Sequence, residues 1–143
     1  MIVKTGGARH LKPANDLEFD DFGNPHSSDN LYMDGPAILN YSLDFLTGLV
    51  NDVLEKNNLT MNEIDLHVYH QANIFLANLE RKILRIPTEK YYVSIENTGN
   101  TVSSTIPIAL CEAIKEGKLN NSMKVLSIAQ GLGYTWGGTV LYF

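Results

Sequence analysis

Three polar loops in this chain carry residues suited to holding an oxygen that gains negative charge. His70 stands at the C-terminal end of the alternating segment Ile64 to Tyr69, Asn97-Thr98-Gly99-Asn100 follows a second β-favouring run, and Gly131-Leu132-Gly133 follows a third. A neutral imidazole, a side-chain amide and the backbone N–H groups of a glycine loop are all donors, and no carboxylate belongs to the set. Singly, each has a plainer reading: a histidine that caps or packs, a turn, a hairpin connection. Their convergence on one rim is what points to a site. Cys111, the only thiol, lies in the body of a helical pattern beside Leu110, where a small buried packing residue is expected rather than a nucleophile. The four histidines have no metal-ligand spacing, and no phosphate loop of the Walker type is present, so no metal is expected. Arg81, Lys82 and Arg85 form a basic cluster that either docks an acidic partner or is a solvated helix face.

The elements that must position these loops follow from periodicity. Asp34 reads as an N-cap before Gly35 and Pro36, and Leu39, Leu43, Leu46, Val50, Val53 and Leu54 keep one face of a long helix that ends near Asn57-Asn58. Thr60 and Glu63 have capping-box spacing for a short turn. Ile64 to Tyr69 predicts a strand, and Ala72, Leu76, Leu79, Ile83 and Ile86 a helix that Pro87 stops. Tyr91 to Ile95 predicts a strand leading into the turn at Asn97, after which Ile106, Leu110, Ala113 and Ile114 mark a third helix closed by Gly117. Val125 to Ala129 and Thr135 to Phe143 are the last strands, the final one returning antiparallel. Strands alternating with helices imply an α/β layer with a mostly parallel mixed sheet and one antiparallel edge. In such sheets ligands gather at the C-terminal ends of the strands, which is where the three polar loops fall. Residues 1 to 34 are loosely patterned, with a short strand candidate at Ile2-Val3 and a polar run from Asp16 to Asn30 that reads as loop, a long excursion for one domain.

The chain's 143 residues, 44% hydrophobic and 19% charged, predict one globular domain with a core of its own. Eleven basic against 16 acidic side chains, a net charge of -5 and no long basic cluster argue against nucleic acid as a partner. No apolar run reaches the roughly 20 residues that span a bilayer, and no targeting pattern opens the chain, so a cytoplasmic setting is expected. The single cysteine excludes an intrachain disulfide and a multi-cysteine zinc site.

Taken together, His70-Gln71-Ala72-Asn73, then Gly99-Asn100-Thr101 with its serine-rich helix start and Ile106-Pro107-Ile108-Ala109-Leu110, then Gly131-Leu132-Gly133-Tyr134-Thr135-Trp136-Gly137, resemble the C-terminal half of β-ketoacyl-acyl-carrier-protein synthase III, of the thiolase-like superfamily. The resemblance covers about Leu31 to Phe143, with 1–30 as a loop-rich lead-in to a thiolase-like core over 31–143. It implies a decarboxylative Claisen condensation of acyl-coenzyme A with malonyl-acyl-carrier protein in fatty acid biosynthesis, with those two as substrates and no cofactor. His70 and Asn100 match the residues that bind the malonyl thioester oxygen and stabilise the enolate. The backbone N–H at Leu132 matches the oxyanion donor for the acylated cysteine. Gly35, Ala72 and Asn73 match the lining of the pantetheine tunnel, and Leu31, Met33 and Leu39 the wall of the acyl pocket.

The resemblance also carries departures. Nothing here aligns with the family's nucleophilic cysteine, which lies in an N-terminal half, so that half is an expected partner, along with acyl carrier protein and a homodimeric mate. Phe75 stands where an arginine is frequent, and Gln130 where an aromatic usually precedes the glycine loop, which leaves substrate choice open. Two other readings stand beside this one: a non-catalytic module that binds pantetheine or a carrier protein, and a related polyketide-type condensing enzyme.

Overall fold

The apolar spacing from Leu39 to Leu54 folds as a 22-residue helix, α1 (Gly35–Lys56), whose start is fixed by the Asp34 carboxylate accepting from the Ala37 N–H at 2.9 Å. The computed structural model describes every residue except Leu132 and divides into two compact units, Met1–Ile38 and Leu39–Phe143.

In the first unit the strand expected at Ile2-Val3 forms, and the polar run after it is more ordered than the loop its pattern predicts. Two short antiparallel ladders form, β1 (Ile2–Val3) with β4 (Leu31–Tyr32) and β2 (Glu18–Phe19) with β3 (Pro25–His26). Aspartates hold the turns between them, which is why hydropathy gives no sign of the order. Asp29 accepts from the Ala14 and Asn15 N–H groups at 2.8 and 3.1 Å and from the Thr5 hydroxyl. Asp20 accepts from the Phe22 and Asn24 N–H groups at 2.9 and 2.8 Å. Asp16 accepts from Ser27 Oγ at 2.7 Å and the Ser28 N–H at 2.9 Å. Bonds from Ser28 and Ser27 hold the Asp16 carboxyl down at about 2.

The second unit is built on a three-stranded sheet, β5 (Leu66–Tyr69), β6 (Lys124–Gly131) and β7 (Thr135–Tyr142), in the order β5-β6-β7. β5 runs parallel to β6 in the register Leu66↔Val125 to Tyr69↔Ile128, and β7 returns antiparallel from Gly131↔Thr135 to Lys124↔Tyr142. This is the mixed sheet with an antiparallel last strand that the α/β pattern predicts. Successive side chains on a strand face opposite ways, and two core clusters follow. Tyr69, Leu126 and Ile128 pack with Leu46, Val50, Val53 and Leu54 of α1 and with Ala77 of α2 (Ile74–Ile83). Leu66, Val68 and Val125 pack with Ala109 and Ala113 of α4 (Thr105–Lys115).

One expected strand is not formed. Tyr91 makes a single parallel bridge to His67, and the chain then turns into the short helix α3 (Ile95–Thr98). Side-chain bonds replace the ladder there: the Gln71 amide donates to the Tyr92 carbonyl at 3.3 Å, and its oxygen accepts from the Ser94 N–H at 2.9 Å. α4 likewise starts later than the turn at Asn97 suggests, after a tight turn over Val102–Ser104. Cys111 is exposed on α4 rather than buried, a correction to the packing role its helical position suggested; Ala109 and Ala113 are the residues that face the sheet.

Candidate active site at the strand ends

His70 leaves β5 with its backbone still in the ladder, its N–H donating to the Ile128 carbonyl at 2.8 Å. That bond fixes where the half-buried ring begins. The ring reaches the first residue of α4, with Nδ1 2.7 Å from Thr105 Oγ1. Thr105 is buried, and its Oγ1 also lies 3.1 Å from the Val102 carbonyl oxygen and 3.4 Å from the Gln71 nitrogen. Burial pushes the His70 pKa below its ordinary value, opposed by the nearby Val102 carbonyl, so the imidazole is neutral at neutral pH.

Asn100 joins the same loop. Its Oδ1 accepts from the Val102 N–H at 2.8 Å, leaving its Nδ2 donors without a protein partner among the described residues. Gly99 takes φ +66° at the C-terminal end of α3, a conformation suited to glycine. Val102 takes φ +57°, which costs a β-branched residue on the order of 1–3 kcal/mol. The Asn100 bond to its N–H helps hold that strained conformation. The two predicted donors are therefore connected through protein: the Asn100 amide to the Val102 backbone, the Val102 carbonyl to Thr105, and Thr105 to the His70 ring.

The third loop is framed by aromatic rings. Tyr41 of α1 donates its hydroxyl to the Tyr134 carbonyl at 2.8 Å and packs on the Tyr134 ring at 4.1 Å. Phe45 stacks on Trp136 at 4.8 Å, and Gly133 has φ +78°. The oxyanion donor expected at Leu132 lies outside the described residues.

The remaining predicted residues are distributed over both units. Asn73 caps α2, its Oδ1 accepting from the Leu76 N–H at 2.8 Å, and Ala72 beside it is half-buried. Leu31 and Met33 are exposed in the first unit, Gly35 opens α1, and Leu39 is half-buried at the start of the second unit. Of the basic cluster, Lys82 and Arg85 are exposed, whereas Arg81 turns back to donate to the Ile86 carbonyl at 3.1 Å. Arg81 thus closes its own helix and is the least free of the three. Phe75 is exposed.

Sequence reasoning passed over Gln71, Thr105 and Glu80. Glu80 is buried, its Oε2 accepting from the Tyr91 hydroxyl at 2.9 Å and its Oε1 from the Gln130 amide at 3.0 Å, one residue before the glycine loop. Burial pushes its carboxyl up to about 7. The signal was present as an acid at position 80 inside the apolar stripe of Leu76 and Ile83. Gln130 is its partner, which explains a polar residue at that point in β6.

Comparison with known proteins identifies the fold and the family. Among solved structures, a 3-oxoacyl-(acyl-carrier-protein) synthase III matches with a TM-score of 0.90 at 35% identity over 99% of this chain and 43% of its own. The Aquifex aeolicus VF5 enzyme of the same description matches with a TM-score of 0.74 at 36% identity, over 89% of this chain and 39% of its own. The fold is therefore that of a thiolase-like condensing enzyme. The family described as 3-oxoacyl-[acyl-carrier-protein (ACP)] synthase III C terminal matches residues 54–143, and the chain belongs to that family. A curated relative, the β-ketoacyl-[acyl-carrier-protein] synthase III of Blochmanniella floridana, is 37% identical over 113 residues, which are 79% of this chain and 36% of the relative. The chain spans about a third of the length of the curated relatives it matches.

Proposed function

We propose that this chain supplies the malonyl-activating part of a 3-oxoacyl-acyl-carrier-protein synthase III, acting with a cysteine-bearing N-terminal half. In the reaction an acyl group passes from acyl-coenzyme A to the cysteine, malonyl-acyl-carrier protein loses carbon dioxide, and the resulting enolate carbon attacks the acyl thioester. His70 and Asn100 donate to the malonyl thioester oxygen as it becomes an enolate oxygen. The observation that carries this reading is the linkage of the two side chains through Val102 and Thr105, with a neutral ring and an unengaged amide at its ends. Fixed neutral donors stabilise developing charge without reorganising during the step.

In the same reading, the backbone N–H of Leu132 serves the acylated cysteine, Gly35, Ala72 and Asn73 line the pantetheine arm, and Leu31, Met33 and Leu39 wall the acyl chain. Lys82 and Arg85, with Arg81 behind them, meet the acidic carrier protein. Acyl-coenzyme A and malonyl-acyl-carrier protein are substrates, and the chemistry needs no further cofactor. A homodimer in the cytoplasm is the proposed setting. Among the described residues no helix is long and apolar enough to cross a membrane.

The test is reconstitution with the cysteine-bearing half of a relative. His70→Ala or Asn100→Ala should lower malonyl decarboxylation by roughly a hundredfold or more, the usual consequence of losing one oxyanion donor, while acylation of the cysteine persists. Equal loss of both half-reactions, or retention of decarboxylation, would refute the assignment.

A further inference from the structure

Glu80 is the only carboxylate buried in the fold among the described residues, and a buried acid needs a donor for each of its oxygens. Both donors come from elsewhere in the chain: the Tyr91 hydroxyl, 2.9 Å from Oε2, and Gln130 Nε2, 3.0 Å from Oε1. A carboxylate only accepts, so it discriminates between the two ends of the Gln130 amide, which are alike in size. The NH₂ end turns toward Glu80 and the oxygen turns away. Protonation of Oε2 keeps this choice, because the facing Tyr91 hydroxyl can reverse and accept.

The place of that oxygen follows from the register. Gln130 lies two residues beyond Ile128 on β6, so its side chain shares the sheet face that Leu126 and Ile128 present to α1 and α2. His70 lies two residues beyond Val68 and reaches Thr105 of α4, on the opposite face. Both stand at one rim, since the His70 N–H meets the Ile128 carbonyl at 2.8 Å. Gln130 is therefore placed to meet a different part of the substrate from the part held by His70 and Asn100. Its cross-strand neighbour is Trp136, stacked on Phe45 of α1 at 4.8 Å, and the same helix carries Leu39, proposed above as acyl wall. No protein group engages the Gln130 oxygen among the described residues, where the one buried side-chain polar atom without a partner is Thr101 Oγ1. The Gln130 oxygen is thus open at the rim, an acceptor beside aromatic rings.

We propose that Gln130 is a specificity-determining residue whose amide oxygen, oriented by Glu80 behind it, accepts a hydrogen bond from a hydroxyl carried on the acyl chain. The inference rests on the reading of this chain as part of a condensing enzyme and names the class of its acyl substrate. An unsubstituted alkyl chain would strip water from the oxygen without replacing the bond, which disfavours it. A hydroxyl on the chain restores the lost donor. Glu80 touches no substrate in this scheme; it is a positioning residue that acts only through the amide.

The test is a competition in the assembly reconstituted with the cysteine-bearing half of a relative, at about pH 8, where Glu80 is ionised. Hexanoyl-coenzyme A competes for the cysteine with hydroxyhexanoyl-coenzyme A isomers that differ only in the position of the hydroxyl, and the adducts are weighed by mass spectrometry. At least one isomer should be favoured about fivefold or more, the usual net worth of one hydrogen bond. The ratio should fall to near parity in Gln130→Leu and in Glu80→Leu. In Glu80→Gln, whose amide can either accept from Gln130 or donate to it, the ratio should fall part of the way, which keeps the test open if the leucine variant fails to fold. A ratio does not depend on the fraction of folded protein, so it separates orientation from stability. The absence of a favoured isomer, or a preference that survives substitution of either residue, overturns the proposal. If no adduct forms with any thioester, the acylation reading has failed instead. The same ratio is then read from binding of these thioesters to the chain itself through the fluorescence of Trp136, the only tryptophan, and equal affinities there overturn the proposal.

Discussion

Replacing Glu80 with glutamine exchanges a buried carboxyl for a neutral group of the same shape. The amide can keep both contacts, accepting from Gln130 and donating to the Tyr91 oxygen. Burial holds the Glu80 carboxyl at about 7 against its ordinary 4.5, so between those values the folded chain keeps a proton that the unfolded chain has released. Native protein then binds more protons, and stability falls as pH rises. At about 1.36 kcal/mol per pH unit, the separation amounts to about 3 kcal/mol. The proton itself belongs on Oε2, facing a Tyr91 hydroxyl that can reverse and accept it; Oε1 faces an amide that can only donate.

His67 works in the opposite sense. Burial, with a smaller contribution from the charge of Lys90, holds its imidazole at about 4 against the ordinary 6.5. Over that window the unfolded chain binds the extra proton, and stability rises with pH by about the same amount. The two slopes offset one another between pH 4.5 and 6.5, where wild-type stability should be nearly level with respect to these groups. In Glu80→Gln the His67 slope stands alone. Urea unfolding followed through Trp136, the only tryptophan, reads the effect. From pH 4.5 to about pH 8, the free-energy difference between variant and wild type should move in the variant's favour by about 3 kcal/mol. A difference that stays constant across this range would refute the reasoning, since it would mean that Glu80 ionises alike in the folded and unfolded chains.

Gly138→Ala should destabilise by about 1–3 kcal/mol in the same unfolding assay. A Cβ there would lie 2.6 Å from Ile128 Cδ1 and 2.8 Å from Val53 Cγ2, side chains already packed between β6 and α1; an unchanged midpoint would show that this packing gives way freely. Cys111→Ser should leave stability within about 0.5 kcal/mol and reconstituted condensation unchanged, because an exposed helix position outside the core has little to lose. An acyl adduct trapped on Cys111 would contradict the assignment of the nucleophile to another half.

Much of the second unit was legible in advance because its elements announce themselves locally. The stripe from Leu46 to Leu54 needs only helical spacing to show its buried face, and Ile64 to Tyr69 only the composition of a strand. His70 follows β5 directly, as its sequence position suggested, whereas Asn100 follows the short helix α3 and reaches His70 only through Val102 and Thr105. The Tyr91 segment misled because its β-favouring composition is the same whether its bonds go to a neighbouring strand or, as here, to the Gln71 side chain. The first unit misled for a related reason, since Asp16, Asp20 and Asp29 organise turns through bonds that hydropathy does not register.

By itself, then, the sequence determined the α/β class and the antiparallel return of the last strand, both of which depend on patterning within short stretches of chain. Only the tertiary structure decided which atoms meet. Thr105 lies 35 residues from His70 along the chain, and Gln130 lies 50 from Glu80, yet each pair is in hydrogen-bond contact. Such pairings are set by how α4 and β6 pack beside β5 and α2, where one residue of register or one turn of helix would separate them. The proton on a buried imidazole or carboxyl depends on those partners and on the water they exclude, and neither is written in local spacing.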